Sequence, residues 1–481
     1  MKHHLSTVVT TLVMIAGLAF LGFLGWAWWH SRLPARYDVM DYGVVDLGGG
    51  PYPSRGDFSL VDLHGPHGKP DYRVTLTAEK ASVRLSSGKT VDAWTFNGRA
   101  PGPEIRVRRG QLVQVTLVNK DISDGVSIHW HGVDVPNAED GVAGVTQDAV
   151  QPGGRYVYRF RPRQVGTFWY HTHQDASEGV ERGLYGTLVI LPDRPPSKGE
   201  DVTLPVHTFS GHPALGIHDG VERRPVPAGK PVRLRLINTD SSPARFRLSG
   251  MEPSVVAIDG AEIEPAPVPP GEAIEIGAGG RYDLAFRMPK GVAAVELVGS
   301  RAALVMSPDG EGEPAAVPSR PVFDPAARAR ATPVRLGSSF DRTFELKISK
   351  KVGFLDGRPG RHWALNGKLY PRTPMFEVDQ SDLVRINLVN DTSSVHPMHL
   401  HGHHVLVLTR NGKALSPWST DTLEMLPHER YSVAFRANNP GLWMLHCHNL
   451  DHAANGLTMH VMYAGVTTPY RAGKSARNDP E

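Results

Sequence analysis

One strand pattern occurs three times in this chain of 481 residues, and it limits the possible folds more than any other feature. In each copy polar and apolar residues alternate, which is typical of a β-strand with one buried face. A second motif, Arg-Tyr with a Phe four residues after the Tyr, follows each copy. The two motifs begin, copy by copy, at Gln111 and Arg155, Pro231 and Arg281, and Asp382 and Arg430. Repetition over such long intervals predicts three related domains and not a solenoid of short repeats.

The composition favours short strands joined by turns. Gly (50) and Pro (40) are frequent, and long stretches of helical periodicity are scarce. We therefore expect an all-β chain in which each domain is a β-sandwich or barrel. The predicted domains are residues 70–195, 196–325 and 326–470, preceded by a Gly- and Pro-rich linker at 37–69 and followed by a tail at 471–481.

The N-terminal segment, residues 1–36, contains an uncharged apolar run over residues 5–29. This run is longer than the ~7–15 residues of a signal-peptide core and fits the ~20 residues of a membrane span. Trp26, Trp28 and Trp29 at its end fit an interfacial aromatic belt. We prefer an uncleaved anchor, and the alternatives are a cleaved signal peptide and a buried core helix. An anchor or a signal peptide places the rest of the protein outside the cytoplasm, membrane-anchored or secreted.

The charge balance argues against a nucleic-acid partner. Lys and Arg number 52, Asp and Glu number 49, and the net charge is +3. Proteins that bind nucleic acids concentrate basic residues on one face or in one stripe. Here the two signs are evenly spread, so no nucleic-acid partner is expected.

The chain has a single Cys and 23 His. One Cys cannot form an internal disulfide, so the thiol needs another explanation. Residues two apart on a strand point to the same face, and imidazole is a good ligand for copper, zinc, iron and nickel. Four His-x-His pairs occur, at His129/His131, His171/His173, His399/His401 and His446/His448. The first and third repeats carry two pairs each, which predicts a metal cluster between them, while the middle repeat is expected to act as a spacer.

The Cys lies inside the last of these pairs. Strand alternation predicts that Cys447 points to the opposite face from His446 and His448. A thiolate with two imidazoles and a weak or absent axial ligand is the trigonal blue-copper arrangement, and His396 and His452 are available to complete it. Zinc competes for such ligands, but the chain has no second Cys and offers far more ligands than one tetrahedral zinc site uses.

The motifs resemble those of three-domain multicopper oxidases, the family of laccases, bacterial cuprous oxidases and ferroxidases. The resemblance extends from Arg73 to Met462 and rests on all four family signatures in order. They read His129-Trp-His131-Gly, Trp169-Tyr-His171-Thr-His173, His396-Pro-Met-His399-Leu-His401-Gly and His446-Cys447-His448-Asn-Leu-Asp-His452. The resemblance implies three consecutive cupredoxin-like Greek-key domains after the N-terminal apolar helix.

The resemblance also implies four copper ions and a role for each ligand. A type 1 copper is the thiolate-bound ion, a type 2 copper is a single ion held by imidazoles, and a type 3 site is a pair of ions. The implied ligands are His396, Cys447 and His452 for type 1, His129 and His399 for type 2, and His131, His171, His173, His401, His446 and His448 for type 3. Cys447 with His446 and His448 then forms the electron route to the three-copper cluster.

The implied reaction couples four one-electron oxidations of a substrate at the type 1 copper to the reduction of O₂ to two waters. Phenols and aromatic amines are the first choice of reductant, because the 12 Met are scattered and form no Met-rich insert. Oxidation of Cu(I) or Fe(II) is the alternative. A copper-free structural relative of the family is a third, much weaker alternative, because the complete ligand set is present.

Several positions depart from the family pattern or extend it. Leu457 occupies the axial position, often Met in the family, and a non-ligating side chain there is expected to raise the copper potential. Met459 lies two residues on and keeps an axial role open. Asp140 stands at the spacing of the acidic residue with which the family handles protons. Ala453 replaces a Glu of many bacterial relatives, so that part of the proton route is undefined.

His404 and two other histidines, His403 and His460, are expected to be surface or packing residues.

Overall fold

The computed structural model describes residues 2–51, 56–194, 199–317, 321–330 and 339–480. Its helices are α1 (Lys2–Ser31), α2 (Ala176–Glu181), α3 (Pro325–Arg328) and α4 (Leu450–Ala454). Apart from three-residue 3-10 turns, the remaining regular structure is β-strand, so the all-β prediction is confirmed. The predicted boundary at 195/196, residues 52–55 of the predicted linker, residues 331–338 of the predicted third domain and the last residue of the tail lie outside the described residues.

The first pair of sheets follows two short N-terminal strands, β1 (Val44–Asp46) and β2 (Phe58–Ser59). Its strands are β3 (Tyr72–Arg84), β4 (Thr90–Phe96), β5 (Gly102–Arg108), β6 (Val113–Asn119), β7 (His129–His131), β8 (Arg155–Phe160), β9 (Gly166–His171) and β10 (Tyr185–Leu191). They form two four-stranded sheets, in the orders β4-β3-β6-β8 and β5-β10-β9-β7. Both sheets contribute to one apolar core, in which Leu117 and Phe168 are fully buried.

The second pair of sheets is larger. Its strands are β11 (Glu200–Phe209), β12 (His212–Leu215), β13 (Val221–Pro225), β14 (Pro231–Asn238), β15 (Ala244–Ser249), β16 (Ser254–Ile258), β17 (Ala261–Pro267), β18 (Ala273–Ile276), β19 (Arg281–Arg287), β20 (Ala293–Leu297) and β21 (Ala303–Ser307). The orders are β12-β11-β14-β19-β16-β17 and β13-β21-β20-β15-β18. The helix α3 follows this pair and spans the predicted boundary at 325/326.

The third pair of sheets contains the strands on both sides of the Cys. They are β22 (Arg342–Leu355), β23 (Arg358–Leu365), β24 (Pro374–Val378), β25 (Leu383–Asn390), β26 (His396–Leu400), β27 (Val405–Arg410), β28 (Lys413–Thr420), β29 (Thr422–Met425), β30 (Arg430–Arg436), β31 (Leu442–Cys447), β32 (Thr458–Tyr463) and β33 (Val466–Thr467). The two six-stranded orders are β23-β22-β25-β30-β27-β28 and β1-β24-β32-β31-β26-β29, and β33 pairs with β2.

The three copies of the repeated strand hold equivalent places in their sheets. Each copy (β6, β14 and β25) runs parallel to the first long strand of its unit (β3, β11 and β22) and antiparallel to the strand with the Arg-Tyr motif (β8, β19 and β30). The registers also agree, with Leu117 opposite Tyr156, Leu236 opposite Tyr282 and Leu388 opposite Tyr431. The sequence repeat is therefore a structural repeat.

The predicted linker at residues 37–69 is built onto the third pair of sheets. Its strand β1 extends the sheet that contains β31 by pairing with β24, and Tyr37 exchanges backbone hydrogen bonds with Ala472 of the C-terminal tail. The physical reason is burial, because Tyr37, Val39 and Leu60 cover an apolar cluster on that sheet. The Gly- and Pro-rich composition marks turns between short strands here and not a free linker.

The N-terminal helix α1 is not part of a core. Residues 7–31 form a helix that is long and apolar enough to cross a membrane. Its most apolar 18-residue window has a mean hydropathy of 2.3, and none of that window is buried. The alternative of a buried core helix is therefore excluded, whereas the exposed helix is compatible both with the preferred anchor and with a signal sequence. The helix ends against the β22–β23 hairpin, where Ser31 Oγ accepts a hydrogen bond from the Gly357 amide at 3.1 Å.

Candidate metal centre

Eight buried histidines from the first and third pairs of sheets converge at one place, and we call them the histidine cluster. In the first pair, β7 lies beside β9 with His129 opposite His171, and in the third pair β26 lies beside β31 with His399 opposite His446. The two halves meet, because His129 Nε2 lies 3.4 Å from His399 Nε2. The members, all at most 1% exposed, are His129, His131, His171, His173, His399, His401, His446 and His448.

Most of the imidazoles are held by one nitrogen and leave the other free. The Nδ1 atoms of His129, His399 and His446 contact backbone carbonyl oxygens at 2.9 to 3.1 Å. His131 is reversed, since its Nε2 lies 2.9 Å from Thr422 Oγ1 while its Nδ1 has no hydrogen-bond partner. The same lack of a partner applies to His171 Nε2 and to both ring nitrogens of His173 and His448. An unsatisfied buried nitrogen costs about 1–3 kcal/mol, so this arrangement fits a site that binds metal ions.

The electrostatics of the cluster also fit metal binding. Burial first, and neighbouring imidazoles second, lower the pKa of His131 and of five other members well below the ordinary value of 6.5. These members are His171, His173, His401, His446 and His448, for which the same two causes act together. Neutral imidazoles keep the lone pair that a metal ion needs. Three groups of cluster nitrogens lie within 4.8 Å of one another: His129/His131/His171, His129/His399/His401 and His173/His401/His446.

A second group of candidate ligands surrounds the single Cys. Cys447 Sγ lies 3.6 Å from His396 Nδ1 and 3.7 Å from His452 Nδ1. Because Cys447 pairs with Met398 and His446 pairs with His399, the thiol and the neighbouring imidazole point to opposite faces of the sheet. Burial raises the pKa of Cys447, so a bound cation is needed to hold it as a thiolate. We call these three residues the thiolate group.

The predicted axial position lies directly beside the thiolate group. The Leu457 carbonyl accepts a hydrogen bond from the Cys447 amide at 3.0 Å, and the Leu457 side chain is completely buried in the same apolar core as Cys447. Met459 pairs with Leu445, which lies two residues from Cys447 on the same strand face. Both candidates named from the sequence therefore lie on the side of the sheet that carries the thiol.

Asp140 is an orienting acid for the histidine cluster. Its carboxylate accepts a hydrogen bond from His401 Nδ1 at 2.9 Å and lies 3.1 Å from His129 Nδ1, and the side chain is 1% exposed. A carboxylate in such contacts fixes the ring orientation and the tautomer of a metal ligand. Ala453, in the place of the family Glu, is buried in α4 and offers no titratable group.

A second orienting acid, Asp421, was not recognised from the sequence. Its Oδ1 lies 3.2 Å from His131 Nε2, and its backbone oxygen accepts a hydrogen bond from His399 Nδ1 at 2.9 Å. Burial alone would raise the pKa of this carboxyl, but Arg281 holds it well below its usual range. The residue follows an ordinary strand, β28, and its sequence surroundings carry no ligand motif, so only its contacts mark it.

The three histidines expected at the surface or in packing have different environments. His403 is buried and bonded to the Tyr463 hydroxyl at 2.8 Å, and His460 is buried with an unpartnered Nε2. His404 bridges two acids, with Nδ1 at 3.3 Å from Asp134 and Nε2 at 3.3 Å from Asp421. His403 and His460 are therefore buried and not at the surface, whereas His404 forms an ion-pair bridge between the first and third pairs of sheets.

The His404 bridge predicts a pH-dependent stability. Burial alone would lower the pKa of His404, but Asp134 and Asp421 raise it to about 10. The bridge contributes fully to the free energy of unfolding below about pH 6.5, the pKa of a histidine in the unfolded chain. This contribution is lost as the pH rises to about 10. His404→Gln should therefore lower the free energy of unfolding of the copper-free protein by about 1.5–3 kcal/mol near pH 6.

Urea denaturation of the wild type and of His404→Gln at several pH values measures this contribution. The difference in unfolding free energy between the two proteins should shrink steadily toward pH 10. When Asp134→Asn is present in both proteins, the difference near pH 6 should be smaller. A difference that stays constant over the whole range would show that the bridge carries no charge.

Known proteins match the two outer parts of the chain and most of its length. Residues 77–195 and 343–465 each match a family model described as multicopper oxidase. The multicopper oxidase MmcO of Mycobacterium tuberculosis is 27% identical over 464 residues, which cover 83% of this chain and 88% of that protein. A laccase of Neurospora crassa is 28% identical over 488 residues, with 80% and 77% covered.

A solved structure shows the same fold over the same extent. The multi-copper oxidase of Pseudomonas thermotolerans superposes with a TM-score of 0.68 at 28% identity and covers 82% of this chain and all of its own. The family-model matches enclose every residue of the histidine cluster and of the thiolate group. This chain belongs to the multicopper oxidase family, whose members are copper-containing oxidoreductases that use oxygen.

Proposed function

We propose that this protein is a laccase-like multicopper oxidase with four copper ions, one in the thiolate group and three in the histidine cluster. The observation that carries the proposal is the complete ligand set of ten histidines and one Cys, all buried except the partly exposed His452. Free nitrogens within the cluster and two Nδ1 atoms beside Cys447 Sγ support binding of metal at both places. The mixture of imidazoles with a single thiolate favours copper.

The proposed ligand roles are those that the resemblance to multicopper oxidases implies, and distances within the cluster support them. The approach of His129 Nε2 to His399 Nε2, at 3.4 Å, supports a type 2 copper shared by the two outer units. The 3.1 Å separation of His401 Nε2 and His446 Nε2 supports a type 3 ion between them. The proposed type 3 ligands are His131, His171, His173, His401, His446 and His448, and His396, Cys447 and His452 are the proposed type 1 ligands.

Bound copper supplies the redox chemistry, which is one-electron oxidation of the substrate and reduction of O₂ by four electrons and four protons to two waters. The chain provides the connection between the two sites, because Cys447 is covalently joined to His446 and His448. Asp140, beside His129 and His401, is the acid that we propose for the proton chemistry. The buried cluster excludes bulk water, whereas His452 is partly exposed and offers an edge to a reductant.

We infer that the reductants are phenols or aromatic amines. Leu457 supports a high type 1 potential, since its side chain has no atom that ligates copper. The laccases among the relatives are consistent with this class of substrate. The test is to purify the full chain with copper and to compare turnover of a phenol, an aromatic amine, Fe(II) and Cu(I) under O₂. A kcat/KM that is highest for Fe(II) or Cu(I) would replace this substrate class by metal-ion oxidation.

The Leu457 argument makes a separate prediction. Leu457→Met introduces a thioether at the axial position and should lower the type 1 potential, because the thioether stabilises Cu(II). For a one-electron step, a fall of about 59 mV lowers the equilibrium constant for substrate oxidation tenfold. Redox titration of the type 1 absorption measures the shift, and Met459→Leu is the matched control with an expected shift near zero. A large shift in the control instead would assign the axial role to Met459.

We also infer that α1 holds the copper-binding part at the outer face of a membrane. The exposed apolar helix and its tight connection to the β22–β23 hairpin support an anchor that stays attached. Expression of the full chain followed by carbonate extraction of membranes tests the anchor. Recovery of a shortened protein in the soluble fraction would favour a cleaved signal peptide.

A further inference from the structure

A loop of the middle pair of sheets reaches the histidine cluster, although that pair supplies none of its members. The loop, residues 277–280, joins β18 to β19. Gly279 has a φ of +79°, and a Cβ placed on it would lie 2.7 to 2.9 Å from ring atoms of His448. Only glycine permits so close an approach of the backbone to the imidazole. The middle pair of sheets therefore forms part of the wall of the cluster.

The residue after this loop, Arg281, is completely buried, and each of its three guanidinium nitrogens donates at least one hydrogen bond. Its guanidinium donates two parallel hydrogen bonds to Asp421, at 2.6 Å from Nη1 to Oδ1 and 2.5 Å from Nη2 to Oδ2. Its Nε donates to the Thr167 carbonyl at 3.2 Å, and Asp259 lies at 3.4 Å. A bidentate pair of this kind fixes the plane and the position of the carboxylate.

The carboxylate that Arg281 holds contacts two members of the cluster. Asp421 lies 3.2 Å from His131 Nε2 through Oδ1, and its backbone oxygen accepts the hydrogen bond from His399 Nδ1. Thr422 Oγ1 donates to the same Oδ1 at 2.7 Å and lies 2.9 Å from His131 Nε2. These contacts leave His131 Nδ1 and His399 Nε2 directed into the cluster. The orientation of both imidazoles thus depends on where Asp421 is held.

We propose that Arg281 is a positioning residue for the histidine cluster, through which the middle pair of sheets fixes His131 and His399 by way of Asp421. The proposal rests on the proposed function, in which these two histidines ligate copper. It assigns to the middle pair of sheets a part in building the metal centre that goes beyond the spacer role expected from the sequence.

Arg281→Gln tests the proposal, because glutamine can donate to only one carboxylate oxygen and carries no charge. Loss of a group that orients metal ligands typically costs about 10- to 100-fold in metal affinity or activity. We expect turnover to fall by that factor and copper to be lost from the histidine cluster. The absorption of the thiolate-bound copper should keep its wild-type intensity per protein, because Arg281 bonds to no residue of the thiolate group.

Arg235→Gln is the matched control. Arg235 lies on β14, next to β19, is 4% exposed, and bonds to Asp201 at 2.6 Å and Asp283 at 3.0 Å. It also reaches the first pair of sheets through Thr167 Oγ1 at 2.8 Å. Its partners among the described residues include no member of the histidine cluster. Its replacement should lower the melting temperature as Arg281→Gln does, without loss of cluster copper or of turnover per folded protein.

The measurements are the copper-to-protein ratio, the visible absorption and the melting temperature of the full chain, together with turnover. Full copper and full turnover in Arg281→Gln would overturn the proposal, as would equal losses in Arg235→Gln. If Arg281→Gln does not accumulate in folded form, Arg281→Lys decides by the same criteria, since lysine keeps the charge but not the planar fork. Wild-type protein without thiolate-copper absorption would instead refute the proposed function, before any variant is compared.

Discussion

Cys447→Ser is expected to remove the intense blue absorption of the copper-loaded protein and to reduce turnover to background. The thiolate is the ligand that gives a type 1 copper its colour, and its sulfur is joined through the backbone to His446 and His448. The hydroxyl of serine is not ionised at neutral pH and cannot replace it. Absorption spectroscopy, copper analysis and oxygen consumption measure the three consequences, and about three of the four proposed ions should remain in the histidine cluster.

The control for this substitution is Leu445→Met. Leu445 is a buried neighbour on the same face of β31, and exchange of leucine for methionine conserves volume. It should retain both colour and turnover. Copper-loaded wild-type protein without the blue absorption would refute the assignment of the thiolate group, and so would a Cys447→Ser variant that stays blue.

Asp140→Asn is expected to reduce turnover by about 10- to 100-fold while the type 1 absorption is unchanged. Asparagine has nearly the same shape as aspartate, but its amide nitrogen cannot accept the hydrogen bond that the carboxylate accepts from His401 Nδ1, and the amide carries no negative charge beside His129. Reduction of the type 1 copper by substrate without oxygen should proceed at the wild-type rate. The fall should appear only when O₂ is present, because the affected imidazoles belong to the histidine cluster.

Glu139→Gln is the neighbouring control for Asp140. Glu139 is also buried, but its carboxylate accepts hydrogen bonds from the backbone amides of Gly65 and Arg159 at 2.9 and 2.8 Å. Its replacement should affect stability and leave oxygen reduction intact. Wild-type turnover in Asp140→Asn would show that Asp140 takes no part in oxygen reduction. Equal losses of turnover in Asp140→Asn and Glu139→Gln would show that Asp140 acts only through packing.

Much of the fold was predictable because its signals are local. Polar and apolar alternation marked β6, β14 and β25 as equivalent strands, and the registers opposite Tyr156, Tyr282 and Tyr431 confirm the equivalence. The same alternation predicted that Cys447 and its two histidine neighbours face opposite ways. The predicted linker was the main departure, since a strand as short as β1 leaves too little pattern to recognise and is stabilised by the sheet that it joins.

The orienting residues could not be predicted from the sequence, because their roles depend on contacts between distant parts of the chain. Arg281 and Asp421 are separated by 140 residues, and the first of them lies in a repeat without any ligand motif. An arginine that begins a strand and an aspartate that follows one are ordinary features of β-proteins. Their bidentate pair exists only when the second and third pairs of sheets are packed together.

The sequence by itself predicted the candidate ligands. They are one thiol, eight histidines at spacings that a strand converts into shared faces, and two further histidines, His396 and His452, available to the thiol. Spacing along a strand is a covalent property, so two residues in His-x-His share a face in any sheet that they enter. Only the tertiary structure decided which pairs meet, which ring nitrogens are free, that Asp140 and Asp421 contact the rings, and that Arg281 bonds to Asp421. Those outcomes depend on the packing of three separate pairs of sheets against one another, which no local pattern specifies.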